Sequence, residues 1–449
     1  MLHLLPIITI AQATPTPPPQ EVVQPQQVRT LPGSLDKIPV FNSNSPELVQ
    51  TEGILLSTFP PTGKRVKTAH LNFPLVGRFD LFAHHIAKPT TPDNLRTLYL
   101  GVILYNPGNQ PVKVDVLQAA SYLSQPDAPF GDLPAVSENL LGNVFAGPGD
   151  RVMNDILRNG RADFPDQLII PPRQSQMLVN LPIPVQGLDP PINGRSTLMY
   201  LRSNGRIYAA SMAMYAPISS GGGERKPSLA EWQNLLNTGD LAQPRDKTPT
   251  PPQQTKGAVI YGRVAGVAQG SQWRSQLVDN PAVDYLSIPQ SRQAFSYGLS
   301  TLDRGTLGTG QVQSAPLLVR YPDTAYQAHG NYGIQYSLSL PLYNNTGKPQ
   351  IVTLSIQTPL KEDRLSKGGL RFLNPPAAQV FFRGTVRLRY NDDQNLPRTQ
   401  YLHLVQKRGQ IGEPLVTLRM KQGSRRLVQV DFLYPPDATP PQVLTVKTL

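Results

Sequence analysis

The 449-residue chain contains no cysteine. This absence excludes disulfides, thiolate metal sites, thiol nucleophiles and lipidation of an N-terminal cysteine. Histidine is scarce, with six residues, and neither an H-E-x-x-H pair nor a cysteine-containing zinc motif is present. The adjacent His84 and His85 would point to opposite faces of a strand, where they cannot easily share one metal ion. The sequence therefore implies no metal and no other cofactor.

Signatures of catalysis are also missing. The chain has no G-x-S-x-G nucleophile elbow and no Walker loop. No pair of carboxylates stands out as an acid–base couple, so hydrolysis of a glycosidic bond has no positive support. The sequence thus leaves the molecular activity open, and an enzyme is the less favoured reading.

Long apolar runs are absent after the first residues. No later stretch approaches the roughly 18 apolar residues that a membrane-spanning helix needs, so no transmembrane segment is expected. The start, "MLHLLPIITIAQAT", combines an apolar stretch with Ala11 and Ala13 at the spacing of a signal peptidase site. Residues 1–13 therefore predict a signal peptide. Only His3 precedes the apolar stretch, and a start codon assigned too far downstream would explain the missing basic leader.

The charge balance is strongly basic, with 42 Lys and Arg against 30 Asp and Glu and a formal net charge of +12. Such a balance favours anionic partners, among them phosphates and acidic glycans. Nucleic acid is a less favoured partner, because no recognition helix, aromatic RNP-like motif or zinc module accompanies the charge.

Length and composition predict two domains. A chain of this size exceeds the roughly 250–300 residues at which one hydrophobic core stops growing. Residues 14–39 are rich in Pro, Gln, Thr and Val and predict an extended stalk. We expect a first domain over residues 40–220 and a second over residues 257–449. Residues 221–256 predict a helix, with a Ser228–Glu231 capping box and a stop at Gly239, followed by a proline-rich linker.

The pattern within both domains is mostly of period two, with 48 prolines marking turns between short strands. Internal similarity links the halves, because "LYNPGNQPVKVDV" (104–116) aligns with "LYNNTGKPQIVTL" (342–354), and "QSQMLVNL" (174–181) with "GSRRLVQV" (423–430). This indicates duplication. We therefore expect an all-β fold of two tandem immunoglobulin-like β-sandwich domains with few helices.

Three local signals refine this expectation. Asn204-Gly205 lies between two apolar runs and predicts a type I′ hairpin turn. Residues 150–160 predict a helix capped by Asp150 and ended by Gly160. "NDDQN" (391–395) lacks the pattern of an EF-hand calcium loop, and its aspartates are expected in a hairpin turn.

One basic pattern is a candidate binding surface. In "VFFRGTVRLRY", Arg383, Arg387 and Arg389 alternate with apolar residues, so a strand would present the arginines on one face. Arg419 and Lys421 repeat this alternation in "VTLRMKQ". These five residues form the predicted anion-binding face, because guanidinium groups match phosphate and carboxylate. The alternative is that they are ordinary solvated strand faces.

Four stretches resemble a domain-of-unknown-function family found in cyanobacteria. They are "VFNSNSPELVQTEGILLSTFPPTG" (40–63), "HLNFPLVGRFDLFAHHIA" (70–87), "QAASYLSQPDAPF" (118–130) and "PSLAEWQNLL" (227–236). The resemblance extends over nearly all of the chain after the stalk. Members share a short apolar start, which implies export to the periplasm or beyond. The family has no established activity, so the resemblance implies no catalytic or binding residue.

Three hypotheses remain open at this point. The first is a non-enzymatic cell-envelope or extracellular protein that binds an anionic envelope polymer or an envelope protein. The second is an enzyme acting on envelope glycans, with a site assembled from distant residues. The third is a structural spacer. The oligomeric state is not predicted.

Overall fold

The computed structural model describes residues 18–91, 93–160, 164–254 and 256–449. The predicted signal peptide, residues 1–13, lies outside the described residues. The described chain is built mainly of β-strands, with two α-helices and one short 3-10 helix. The all-β prediction is therefore confirmed. Among the described residues, no helix is both long and apolar enough to cross a membrane.

Within the described residues, twelve strands precede residue 220. They are β1 (Gln20–Gln24), β2 (Gln27–Arg29), β3 (Pro39–Ser43), β4 (Leu48–Val49), β5 (Gly53–Ser57), β6 (Leu75–Ala87), β7 (Leu98–Tyr105), β8 (Val112–Leu123), β9 (Val136–Glu138), β10 (Gln167–Ile170), β11 (Ser175–Ile183) and β12 (Asn193–Tyr215). The 3-10 helix spans Lys67–Ala69, and helix α1 spans Pro148–Leu157.

Helix α2 (Leu229–Thr238) leads into fourteen further strands. They are β13 (Ala265–Gln269), β14 (Gln272–Gln276), β15 (Leu286–Ser287), β16 (Ala294–Leu299), β17 (Ala315–Arg320), β18 (Gln327–Ala328), β19 (Gln335–Tyr343), β20 (Gln350–Gln357), β21 (Leu370–Asn374), β22 (Val380–Asn391), β23 (Pro397–Lys407), β24 (Val416–Met420), β25 (Arg425–Leu433) and β26 (Gln442–Thr448).

The strands form four sheets. A twelve-stranded sheet has the order β10-β8-β12-β6-β3-β13-β17-β18, with β4 beside β6, and the long strand β12 continues into a second arm with β5, β7 and β11. A seven-stranded sheet has the order β14-β19-β25-β22-β23-β9, with β15 beside β19. A five-stranded sheet has the order β2-β16-β26-β20-β24, and β1 pairs with β21.

The two halves repeat the same strand order. The run β10-β8-β12-β6-β3 in the first half matches β24-β20-β26-β16-β2 in the second. In both runs the last pair is parallel and the other pairs are antiparallel. The internal similarity read from the sequence thus corresponds to a repeated topology, as duplication predicts.

The repeated turn is built by equivalent asparagines. Asn106 follows β7, is fully buried, and donates from Nδ2 to the carbonyl oxygens of Gln110 (2.7 Å) and Ile170 (3.0 Å). Asn344 follows β19, is equally buried, and donates to the carbonyl oxygens of Lys348 (2.9 Å) and Met420 (2.9 Å). Each side chain therefore ties its turn to the end of a neighbouring strand.

The halves do not form separate sheets. Strand β13 lies after the predicted boundary at residue 257, yet it pairs with β3 of the first half. Strand β2 lies before the first predicted domain, yet it pairs with β16 of the second half. Each half thus supplies a strand to the other. The strand order does not establish the tandem immunoglobulin-like arrangement.

Residues 14–39 are predicted to form an extended stalk, but the described part of this segment contains two strands that pair with the rest of the fold. Strand β1 pairs with β21, and β2 adds to the edge of the five-stranded sheet. Leu31 is buried, and Trp273 donates from Nε1 to the carbonyl oxygen of Pro32 (2.8 Å). Edge strands tolerate nearby prolines, and the partner strands lie hundreds of residues away, where composition alone cannot reveal them.

Helix α2 confirms the capping box. The Ser228 side chain accepts from the backbone N–H of Glu231, and Gly239 ends the helix. The helix is anchored by Trp232, which is completely buried against Gly101, where a Cβ would come within 2.6 Å of the indole. The proline-rich segment after the helix also contacts the rest of the fold, since the backbone N–H of Ala242 donates to the carbonyl oxygen of Ile54 on β5 (2.9 Å).

The predicted hairpin at Asn204-Gly205 is wrong. Strand β12 runs through both residues without turning, and the register shifts between Ser203 and Ile207, where the strand passes from one arm of its sheet to the other. Gly205 approaches β8 so closely that a Cβ would lie 2.7 Å from Val112. The glycine thus serves close packing at an irregularity, a common alternative use of glycine in strands.

Helix α1 begins earlier than predicted, with Gly147 at the N-cap. Asp150 lies inside the first turn and accepts from the backbone N–H of Ala146 (2.9 Å). Its Oδ2 also lies 2.6 Å from Nε2 of His403, and both side chains are fully buried. Because His403 lies on β23, Asp150 links the helix to the seven-stranded sheet. The helix packs beside β22 and β25, which bears on the binding surface described next.

Candidate functional site: an arginine cleft on the seven-stranded sheet

Strand β22 carries the alternation that the sequence predicts. Phe382, Val386 and Leu388 are completely buried, while Arg387 and Arg389 lie on the opposite face. This face is not uniformly exposed, however, because helix α1 and the segment before it cover part of it. Thr385, for example, is buried and accepts a hydrogen bond from Asn139 Nδ2 (3.0 Å). Only the end of the face near Arg389 is open.

Arg383 lies under the covered part of this face. Its Nη1 is 3.7 Å from Oδ2 of Asp437, and its guanidinium carbon lies 5.4 Å from the centre of the Phe130 ring. Burial raises the pKa of Asp437 to about 6. Arg383 is therefore part of an internal ion pair and is set apart from the open end of the strand.

Arg387 and Arg389 share one carboxylate. Arg387 Nε lies 3.3 Å and Arg389 Nη2 3.1 Å from Oδ2 of Asp431, which is buried on the neighbouring strand β25. Arg387 Nη1 also donates to the carbonyl oxygen of Leu157 at the C-terminal end of helix α1 (3.3 Å). A cation is stabilised there by the helix dipole. These contacts hold both guanidinium groups in place.

Arg419 and Lys421 lie elsewhere. Arg419 is on β24 at the edge of the five-stranded sheet, and Lys421 follows that strand. Both are exposed, and neither lines the cleft that contains Arg387 and Arg389. The structure thus places the five predicted residues on two different sheets instead of one binding face.

A polar cleft of about 390 Å³ lies on the open face of the seven-stranded sheet. We call it the arginine cleft. Its lining residues come from β14, β19, β22 and β25 and are Arg274, Ser275, Gln276, Gln335, Ser337, Leu338, Ser339, Arg387, Arg389, Gln429 and Asp431.

Two rows of paired residues form the floor of the arginine cleft. In the first row, Arg274 pairs with Ser337, Ser337 with Asp431, and Asp431 with Arg387. In the second row, Gln276, Ser339, Gln429 and Arg389 follow in the same strand order. Side chains on one face of a sheet stand side by side at the strand spacing of about 4.8 Å. The floor is therefore a continuous polar strip across four strands.

Arg274 is the least engaged cation of the arginine cleft. It is exposed, and its contact is with a neutral side chain, since Nε donates to Oε1 of Gln272 (2.8 Å). Among the described residues it has no carboxylate partner. The cleft thus holds three guanidinium groups against the single carboxylate of Asp431. This excess of positive charge, with serine hydroxyls and glutamine amides between the cations, suits an anion that also carries hydroxyl groups.

The described lining of the arginine cleft includes one carboxylate, that of Asp431, and no histidine. Its three guanidinium groups are suited to contact with an anion. Over residues 18–449, apart from the five internal positions not described, no cluster of three or more metal-ligating side chains is found.

Sequence reasoning missed Arg274, Ser337, Gln429 and Asp431. A signal for some of them exists, because "QYSLSLPLY" and "RRLVQVDFL" alternate polar and apolar residues. Nothing in the sequence shows that β14 runs parallel to β19, which brings Arg274 into the same row as Arg387.

No curated protein sequence matches the chain. The profile of a family described as "Protein of unknown function (DUF3370)" matches residues 26–448. The match covers nearly all of the described chain, including β2 and both halves of the repeat. The chain therefore belongs to the DUF3370 family.

Proposed function

We propose that this protein binds an anionic polymer of the cell envelope through the arginine cleft and that it does so without catalysing a reaction. The observation that carries the proposal is the arrangement of Arg274, Arg387 and Arg389 around one carboxylate on an open sheet face. Hydrogen bonds to charged groups contribute about 1.5–3 kcal/mol each. The guanidinium groups of Arg274 and Arg389, which are partly free, can therefore hold an anionic repeat unit.

The shape of the arginine cleft favours a chain over a small ion. Four strands at about 4.8 Å spacing span roughly 14 Å, so the polar strip is longer than one phosphate or sulfate group. The strip is also open along the sheet. The net charge of +12 adds long-range attraction toward a polyanion.

Export is part of the proposal. Its support is the apolar start with Ala11 and Ala13 at the spacing of a signal peptidase site. We also propose, as the finer description of the fold, that the two halves derive from one immunoglobulin-like sandwich unit. Its support is the repeated strand order and the equivalent turns at Asn106 and Asn344.

The binding proposal is tested by charge reversal within the arginine cleft. Arg274→Glu combined with Arg389→Glu replaces two cations by anions. We expect the affinity for heparin and for dextran sulfate, measured by titration calorimetry, to fall at least about tenfold, which corresponds to about 1.4 kcal/mol. For the unmodified protein, binding should weaken as salt is raised, because counterions screen the contacts.

The matched control uses the other predicted cations. Arg419→Glu with Lys421→Glu makes the same change in net charge on a different sheet, and uncharged dextran tests the need for charge. We expect the control variant to lose less than about threefold in affinity. Equal losses in the two variants would mean that net charge alone drives binding and would refute the cleft as the site.

The N-terminus provides a separate test of export. If residues 1–13 act as a signal peptide, the mature protein recovered from the envelope fraction of its natural host begins at Thr14. N-terminal sequencing or intact mass measurement distinguishes this from retention of Met1. An unprocessed chain in the cytoplasmic fraction would refute export while leaving the arginine cleft untouched.

A further inference from the structure

A second pocket lies where the two halves meet. It has a volume of about 190 Å³ and is separate from the arginine cleft. Strand β3 and the residue after it form one wall, and the segments before β13 and around residue 330 form the other. We call it the amide pocket and define it by Asn42, Asn44, Tyr261, His329, Tyr332 and Lys361.

Two buried carboxamides of the amide pocket each have an unpaired oxygen. Asn42 and Asn44 are 4% and 3% exposed, and the Oδ1 atom of each has no hydrogen-bond partner among the described residues. Leaving a buried polar group unpaired costs about 1–3 kcal/mol. Rotation of a terminal amide about χ2 is soft, so each carboxamide can turn either its oxygen or its nitrogen toward a ligand.

A third polar group in the amide pocket is neutral. Nδ1 of His329 is buried without a partner among the described residues. Burial lowers the pKa of His329 to about 4, so the ring carries no charge near pH 7. Its one N–H and one bare nitrogen therefore allow it both to donate and to accept a hydrogen bond.

Two tyrosines and two basic residues, one of which is Arg263, also line the amide pocket. The ring centres of Tyr261 and His329 are 4.7 Å apart, and Lys361 Nζ lies 3.0 Å from the Tyr261 hydroxyl. Tyr332 lines the same space, and burial raises its pKa to about 12. The exposed Lys361 places a donor at the rim.

These groups select a class of ligand. Carboxamides that donate and accept match hydroxyl groups, which do the same, and aromatic faces pack against apolar C–H surfaces. None of the described residues lining the pocket carries a carboxylate, which disfavours a cationic ligand. A volume of about 190 Å³ is below the range of about 300–1,000 Å³ typical of drug-sized ligands, so a single ring is the largest fit.

We propose that the amide pocket binds one sugar ring, that is, a monosaccharide-sized ligand carrying several hydroxyl groups. This proposal rests on the pocket alone and is independent of polyanion binding at the arginine cleft. The site is not catalytic in this account, since it supplies hydrogen bonds and packing surfaces to the ring.

Saturation-transfer difference NMR with the full chain tests the proposal. The probes are glucose, galactose, mannose and N-acetylglucosamine, each at about 10 mM, which would occupy most of a site with a Kd near 1 mM. We expect transfer to the ring protons of at least one probe. We further expect Tyr261→Ala to reduce that transfer at least about tenfold.

Matched variants keep the test interpretable. Tyr285→Ala removes another half-buried tyrosine, one that lies beside Arg425 and does not line the pocket, and should leave the transfer unchanged. Lys361→Ala alters an exposed residue and should weaken the signal without affecting folding. Absence of transfer to all four sugars, or equal transfer in Tyr261→Ala and Tyr285→Ala, would overturn the proposal and indicate a pocket filled by solvent only.

Discussion

Single side chains in this protein are governed by partners that lie far away in the sequence. His84 and His85 on β6 show this clearly. His84 Nδ1 lies 2.7 Å from Ser196 Oγ, whereas His85 contacts Ser43 Oγ (2.9 Å) and the carbonyl oxygen of Pro46 (2.8 Å). The expectation that neighbouring histidines on a strand point to opposite faces is thus consistent with their separate partners. Both rings are buried and have local structural roles.

Burial of these histidines makes stability depend on pH. Burial lowers the pKa of His85 to about 4, while the ring titrates near 6.5 in the unfolded chain. Between these two pH values the unfolded chain binds the proton and the folded protein does not. The contribution of His85 to the free energy of unfolding is therefore fully present above pH 6.5 and is lost as the pH decreases toward 4. His85→Gln should reduce the slope of unfolding free energy against pH by about 1.4 kcal/mol per pH unit in this window.

Urea denaturation at a series of pH values measures this slope. Burial raises the pKa of Asp80 and of Asp437 to about 6, which stabilises the folded state toward low pH, but both contributions are present in wild type and variant and cancel in the comparison. The same slope in both proteins would contradict a neutral, buried His85.

The arginines show the limit of sequence reasoning at this scale. Alternation along β22 gives the faces of Arg387 and Arg389, because it depends on one strand. It does not show that Asp431 pairs with both, or that Asp437 contacts Arg383, because those contacts depend on neighbouring elements. The face of β22 on which these arginines lie was therefore predictable from the sequence, whereas the set of residues that line the arginine cleft was not.

At the level of secondary-structure elements, a sequence pattern predicts the structure correctly where the residues that interact lie close together in the sequence. The capping box of Ser228 and Glu231 completes itself within one turn and is confirmed. The turn at 391–395 is confirmed as well, since Asp392 Oδ1 accepts from the backbone N–H groups of Gln394 (3.0 Å) and Leu396 (2.9 Å). Asn204-Gly205 fails as a hairpin signal because β8 and β7 pair with both parts of β12 and keep it extended.

The repeated turn gives a prediction at this scale. Asn344→Ala removes the donors to the carbonyl oxygens of Lys348 and Met420 and leaves buried groups unpaired. We expect a loss of about 1–3 kcal/mol in the free energy of unfolding, measured by urea denaturation. The adjacent Asn345 is exposed, and Asn345→Ala should change stability by less than about 0.5 kcal/mol. Similar losses at the two positions would contradict the role given to Asn344.

The whole molecule is held together by strands exchanged between its halves. The repeat was visible in the sequence because equivalent turn residues occur in both halves. The exchange of strands was not visible in the sequence, because it depends on which distant strands pair with β2 and β13. The length of the chain predicts two units, yet one sheet connects residues on both sides of residue 257. Independent unfolding of two domains is therefore not expected.

The two tryptophans report on this connection separately. Trp232 is buried in the first half and Trp273 in the second. In the single-tryptophan variants Trp232→Phe and Trp273→Phe, the fluorescence transition should coincide with the far-ultraviolet circular dichroism transition of the same variant, as in two-state unfolding. A fluorescence midpoint clearly separated from the dichroism midpoint in either variant would indicate independent halves.

Polyanion binding at the arginine cleft is the central functional claim, and arginine-specific chemical modification tests it most directly. The full chain is treated with a phenylglyoxal reagent with and without saturating heparin, and the rate at each arginine is read by peptide mass spectrometry. At about 90% occupancy, we predict that modification of Arg274 and Arg389 slows about tenfold, while the exposed Arg419 on the five-stranded sheet reacts at an unchanged rate. Protection of Arg419 with no protection of Arg274 and Arg389 would contradict the account.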